Sequence, residues 1–86
     1  MELKWRRTAY GGWQLFWDVQ LSWDERTIRC AELSERNGWW SLTLSHRVAP
    51  LDFNPDRARF DTLEEAQEYT ENLVRVLIIG GHHERN

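Results

Sequence analysis

Apolar residues alternate with polar ones through most of the first half of the chain and recur at helical spacing near its end. The strongest run is Trp13, Leu15, Trp17, Val19, Leu21 and Trp23, interleaved with Gln14, Phe16, Asp18, Gln20 and Ser22. This period of two predicts a long half-buried strand, bent near Asp18 or Gln20 because most strands are shorter. Residues 2–8 predict an edge strand with Leu3 and Trp5 on one face and Lys4 and Arg6 on the other. Between the two, Ala9-Tyr10-Gly11-Gly12 predicts a turn, since glycine enters positive φ at little cost. Asp24-Glu25-Arg26 reads as a polar turn, and residues 27–34 as the next strand. Alternation breaks within that strand. Ile28 and Cys30 share one parity while Ala31 and Leu33 share the other, which predicts a β-bulge near Cys30-Ala31. Asn37-Gly38 is a strong hairpin signal and leads into a strand over 39–46. There Trp40, Leu42 and Leu44 face one way and Trp39, Ser41 and Thr43 the other.

Residues 47–60 read as a long connection, packed over the domain through Val48, Leu51 and Phe53. A helix is predicted over 62–79. Thr62 (or Asp61) supplies its N-cap, with Glu64 and Glu65 in the first turn. Leu63, Ala66, Thr70, Leu73, Val74 and Leu77 form its apolar stripe, and Gly80-Gly81 is expected to stop it. The order ββββα predicts an α+β fold. A four-stranded antiparallel meander spans a single domain over residues 1–81, with the helix packed on one face and a polar tail at 82–86. Leu15, Trp17, Leu42, Leu44, Leu63, Ala66, Leu73 and Leu77 are the expected core.

Strand neighbours point to opposite faces, so Trp40 beneath the helix puts Trp39 on the open face, with Phe16 and Ile28. Two covers are open to these aromatics. One is a partner, since large apolar patches mark interfaces, and the other is the 47–60 loop folded back through Leu51 and Phe53.

Composition adds restraint. Eleven basic and fourteen acidic residues give a net charge of −3, so direct nucleic-acid binding is not expected. Cys30 is the only cysteine, which rules out an intrachain disulfide. Neither a signal-peptide run nor a membrane-length apolar stretch occurs, and a cytoplasmic location is the expectation.

Catalytic chemistry finds no constellation. Cys30, His46, His82 and His83 lack metal-ligand spacing, so no metal or other cofactor is expected. Ser45 and His46, adjacent in a strand, point apart and have no third member. The carboxylate pairs Asp24-Glu25 and Glu64-Glu65 have sufficient roles in a turn and a helix N-terminus. An enzyme is therefore not expected. Asp61, Glu64, Glu68 and Glu71, spaced three or four apart, form one acidic row on the helix. Such a row suits an Arg/Lys-rich partner.

Gly12-Trp13 opening a strand, Trp39-Trp40 in another, and Phe60-Asp61-Thr62-Leu63-Glu64-Glu65-Ala66 opening a helix resemble, in layout, many small phage and prophage proteins. Some of these are anti-defence inhibitors, including anti-CRISPR proteins, which bind a host complex rather than catalyse. The order of strands and helix also resembles the arm-type DNA-binding domain of tyrosine integrases, which reads DNA with its sheet. The first resemblance implies a protein-binding module acting on a host nucleic-acid-handling defence complex. Its contact residues would be Glu64, Glu68 and Glu71, or Trp39 and Phe16. The second implies a small DNA- or RNA-binding module, for which Lys4, Arg6, Arg7 and Arg29 would be the basic contacts and the aromatics the stacking platforms. A structural homo-oligomer or homodimer is a third expectation.

Overall fold

The computed structural model describes residues 2–20, 23 and 25–83. Within it the alternating segments become five antiparallel strands, β1 (Glu2–Arg7), β2 (Trp13–Gln20), β3 (Glu25–Arg36), β4 (Trp39–Leu44) and β5 (Arg59–Phe60), followed by helix α1 (Leu63–His83). Their order in the sheet is their order in the chain. The fold is α+β, with one strand more than the four-stranded reading. The fifth is two residues long, too short for periodicity to reveal. It pairs Phe60 with Trp40, and Leu42 N–H donates to the Ala58 carbonyl at 3.0 Å beside it.

Turn chemistry follows local sequence. Asn37 (φ 50°) and Gly38 (φ 87°) both adopt positive φ, as a two-residue type I′ hairpin requires. In the β1–β2 turn, Thr8 Oγ1 accepts from the Gly12 N–H at 2.9 Å. A Cβ at Gly12 would stand 2.7 Å from the Leu33 carbonyl oxygen, so only glycine lets the chain pass this close to β3.

The bulge lies where the parity break places it. Leu15 faces Ala31 and Phe16 faces Arg29, so Cys30 has no opposite residue on β2. This extra residue resets the alternation and keeps Cys30, Ala31 and Leu33 all buried. It also pairs Ile28 with Trp17 on the helix side, correcting the expectation that Ile28 joins the open face.

The core rows run straight across the sheet. Trp5, Leu15, Ala31 and Leu44 make one, and Trp13, Leu33 and Leu42 the next. Over them α1 presents Ala66, Thr70 and Val74, all fully buried, flanked by Leu63, Tyr69, Leu73 and Ile78. Thr70 is tolerated there because its hydroxyl donates to the Ala66 carbonyl at 2.7 Å. Of the expected core, Leu15, Leu42 and Ala66 are buried, while Trp17, Leu44, Leu63, Leu73 and Leu77 are half-buried. Phe60, Leu33 and Val74 take the centre instead. A helix about 10 Å across cannot cover a five-stranded sheet about 20 Å wide. The broad rings of Trp13 and Trp17 pack against the core at its margin.

Thr62 caps the helix, its Oγ1 accepting from the Glu65 N–H at 3.2 Å. The C-terminal stop differs from expectation: α1 runs through Gly80 and Gly81 to His83. Gly80 keeps negative φ, and a glycine in helical φ weakens a helix by about 1 kcal/mol without ending it. Residues 84–86 of the expected tail lie outside the described residues, as do Leu21, Ser22 and Asp24. Trp23, expected to continue the β2 row, is 81% exposed. Of the expected polar turn over residues 24–26, Glu25 and Arg26 belong instead to β3.

Leu33→Ala is expected to cost about 2–5 kcal/mol and Phe60→Ala about 3–5 kcal/mol in urea unfolding. Leu51→Ala, at a position 93% exposed, is expected to stay within about 0.5 kcal/mol. Equal losses at all three would refute this core.

Candidate binding surfaces

The sheet leaves one face uncovered. Lys4 and Arg6 on β1, Gln14, Phe16 and Asp18 on β2, Thr27, Arg29, Glu32 and Arg36 on β3, Trp39 and Thr43 on β4, and Arg59 on β5 occupy it. Leu51 and Phe53, the expected cover from within the chain, do not lie over its aromatics. The 47–60 loop stays along the outer edge of β4, where Ala49, Pro50 and Phe53 line a cleft of about 330 Å³ with Leu42 and Leu44. Within it Val48 packs on the core but Leu51 points to solvent, contrary to expectation. Arginines roof the rings instead. The Arg6 guanidinium lies 5.1 Å from the Phe16 centroid, and that of Arg59 lies 4.2 Å from Trp39. Both rings are thereby reduced to half-exposure while a cation faces solvent.

Phe16 and Trp39 share this face but do not meet. Phe16 pairs with Arg29 and Trp39 with Arg36, seven residues apart along β3. At the strand rise this is roughly 20 Å. Between Phe16 and the turn after β4, Gln14, Phe16, Arg29, His46 and Arg47 line a cleft of about 460 Å³ that contains no carboxylate.

Ion pairing sorts the cations. Lys4 bonds Asp18 at 3.2 Å, Arg57 pairs with Glu65, and Arg75 reaches Glu71 at 3.8 Å. Arg6, Arg29, Arg36, Arg47 and Arg59 pair with no described carboxylate, and all are exposed on or beside the open face. Glu2 and Asp18 are both held by Lys4 at one end of that face.

The acidic row is present on α1, where Glu64, Glu68 and Glu71 line one shallow groove with Gln67, Asn72 and Arg75. Its members differ. Glu64 and Glu68 are exposed, whereas Glu71 accepts a 3.1 Å bond from the Trp5 indole N–H and ties the helix to β1. Arg57 makes a second tie: its N–H donates to the Tyr69 hydroxyl at 3.2 Å, its side chain pairs with Glu65, and its guanidinium lies over Phe60 at 4.7 Å. No spacing rule connects either tie to the sequence.

Among the described residues no three His, Cys, Asp or Glu side chains gather as a metal site. No helix of the described chain is long and apolar enough to cross a membrane. The Cys30 thiol donates to the Ile28 carbonyl at 3.5 Å, and burial pushes its pKa up to about 11, against a smaller lowering by a backbone bond at Trp17.

Because the raised pKa keeps the thiol protonated, Cys30 is expected to resist a thiolate-specific reagent at pH 8 until urea unfolds the chain. The thiol contributes stability that is present below its unfolded pKa near 9 and lost as pH rises toward 11. Rapid native-state labelling at pH 8 would refute its burial. At the helix tie, Trp5→Phe is expected to destabilise by about 1 kcal/mol through loss of the indole donor, read by thermal melting.

Comparison of the chain with protein-family models, with curated proteins and with solved structures finds no match, so likeness assigns a role to neither face.

Proposed function

We propose that the protein is a non-catalytic binding module whose open sheet face receives an anionic partner. The observation that carries this reading is the segregation of unpaired charge. Five exposed arginines without carboxylate partners lie on or beside one face of a chain whose net charge is −3. Unpaired like charges held on one surface raise its potential and attract ligands of opposite sign. The Arg6–Phe16 and Arg59–Trp39 stacks hold two of those guanidinium groups in fixed positions, which lowers the ordering cost of binding.

A second reading rests on Glu64 and Glu68, exposed and without a cationic partner on the helix groove. This surface fits a basic protein, as in a phage-type inhibitor that occupies the nucleic-acid site of a host defence complex. The two readings use opposite sides of the molecule.

Chromatography on immobilised heparin and immobilised polylysine separates them. Retention on heparin at low salt, lost in Arg29→Glu/Arg47→Glu and kept in Glu64→Lys/Glu68→Lys/Glu71→Lys, is the expected result. Passage through heparin, with polylysine retention abolished by the triple reversal, would overturn the first reading in favour of the second.

A further inference from the structure

We infer that the occupant of the open face is single-stranded nucleic acid, its phosphates held in the arginine cleft beside Phe16 and its bases laid on the arginine–aromatic stacks. The inference rests on the open face being the binding surface and names the ligand that would use all of it. Whole-chain composition argues the other way, but a charge of −3 describes the molecule only if charge is spread evenly. Glu64 and Glu68 stand on the helix, while Arg6, Arg29, Arg36, Arg47 and Arg59 lie on or beside the opposite face, where they outnumber Glu32, which lines the next hollow with Arg29.

Three features select the ligand. First, the cleft combines the Arg29 and Arg47 guanidinium groups with His46 and the Gln14 amide, and no carboxylate intervenes. Guanidinium pairs planar donors to phosphate oxygens, and an amide side chain can bond a phosphate or a base edge. Second, Arg6 and Arg59 lie on aromatic rings with their outer planes toward solvent. Unstacked bases lie on such guanidinium planes and on aromatic rings. Third, the two stacks stand roughly 20 Å apart along β3, so one ligand reaches both only if it is extended. An acidic peptide would use the arginines and leave the stacks idle. A duplex keeps its bases paired and would do the same.

The test is fluorescence anisotropy of the full chain with labelled oligonucleotides of about twelve residues, a length within single-strand site sizes. The probes are single-stranded DNA, single-stranded RNA, the DNA duplex and polyglutamate, each titrated from low to high salt. Expected is binding of at least one single strand, tighter than of duplex or polyglutamate, with log K falling against log salt at a slope of about −2 for three phosphates. Arg29→Gln/Arg47→Gln should weaken it tenfold or more and reduce the slope by about 1.4. Phe16→Leu should weaken it about tenfold, the effect of losing one stacked base, and leave the slope unchanged. Glu64→Gln/Glu68→Gln should leave it unaltered. Circular dichroism and melting of each variant separate lost contacts from lost fold, and the substituted arginines are exposed.

Duplex or polyglutamate binding as tightly as the single strands would overturn the inference while leaving an anionic partner in place. Single-strand binding insensitive to both the cleft and the Phe16 variants would overturn it as well. Failure of every probe, heparin included, would overturn both the inference and the reading beneath it.

Discussion

The bulge at Cys30 is the constraint on which the rest of the structure depends. Strand β3 runs for twelve residues and pairs on both sides, so its parity decides what faces the helix. Without the extra residue, the pairing set by Leu15 and Ala31 would continue as Phe16 opposite Cys30 and Trp17 opposite Arg29. An arginine would then lie beneath the helix and a thiol on the open side. One inserted residue instead buries Cys30, matches Ile28 to Trp17 and delivers Arg29 to the face of Phe16. A slip of one residue exchanges the faces of every residue beyond it, so the bulge sorts the apolar side chains and the charges in one step.

A second constraint is width. One helix cannot cover five strands, and the structure meets the shortfall with large rings and with two long-range ties. Trp13 and Trp17 pack at the margin of the core, Trp5 bonds Glu71, and Arg57 joins the end of the long loop to Glu65 and Tyr69. These ties consume some of the acidic charge of the helix. On the sheet Lys4 is held by Asp18 and Glu2, while Arg6, Arg29, Arg36 and Arg59 pair with no described carboxylate. Among the side chains without an ion pair, the helix keeps Glu64 and Glu68, and the open face keeps Arg6, Arg29, Arg36 and Arg59 against Glu32, in a chain whose net charge hides the difference.

Much of the fold was legible in local sequence because the rules involved act over a few residues. The broken parity at Cys30-Ala31, the Asn37-Gly38 turn and the Thr62 cap each state their own geometry. Strand β5 was not legible, since two residues carry no period, and neither was the contact beside it from Arg57 to Glu65, eight residues later. Gly80-Gly81 misled because glycine permits a stop without compelling one. Of the site, the acidic row followed from helical spacing, and the opposite facing of Trp39 and Trp40 from strand alternation. The engagement of Glu71 by Trp5, 66 residues away, followed from neither. The arginine cleft brings together residues near positions 14, 29 and 46, and no motif marks such an assembly.

Interstrand nuclear Overhauser contacts between β2 and β3 read the bulge itself. They are expected to place Phe16 opposite Arg29, Leu15 opposite Ala31, and Cys30 opposite neither. Contacts placing Phe16 opposite Cys30 would put Arg29 on the helix side, and both the core and the cationic face described above would be contradicted.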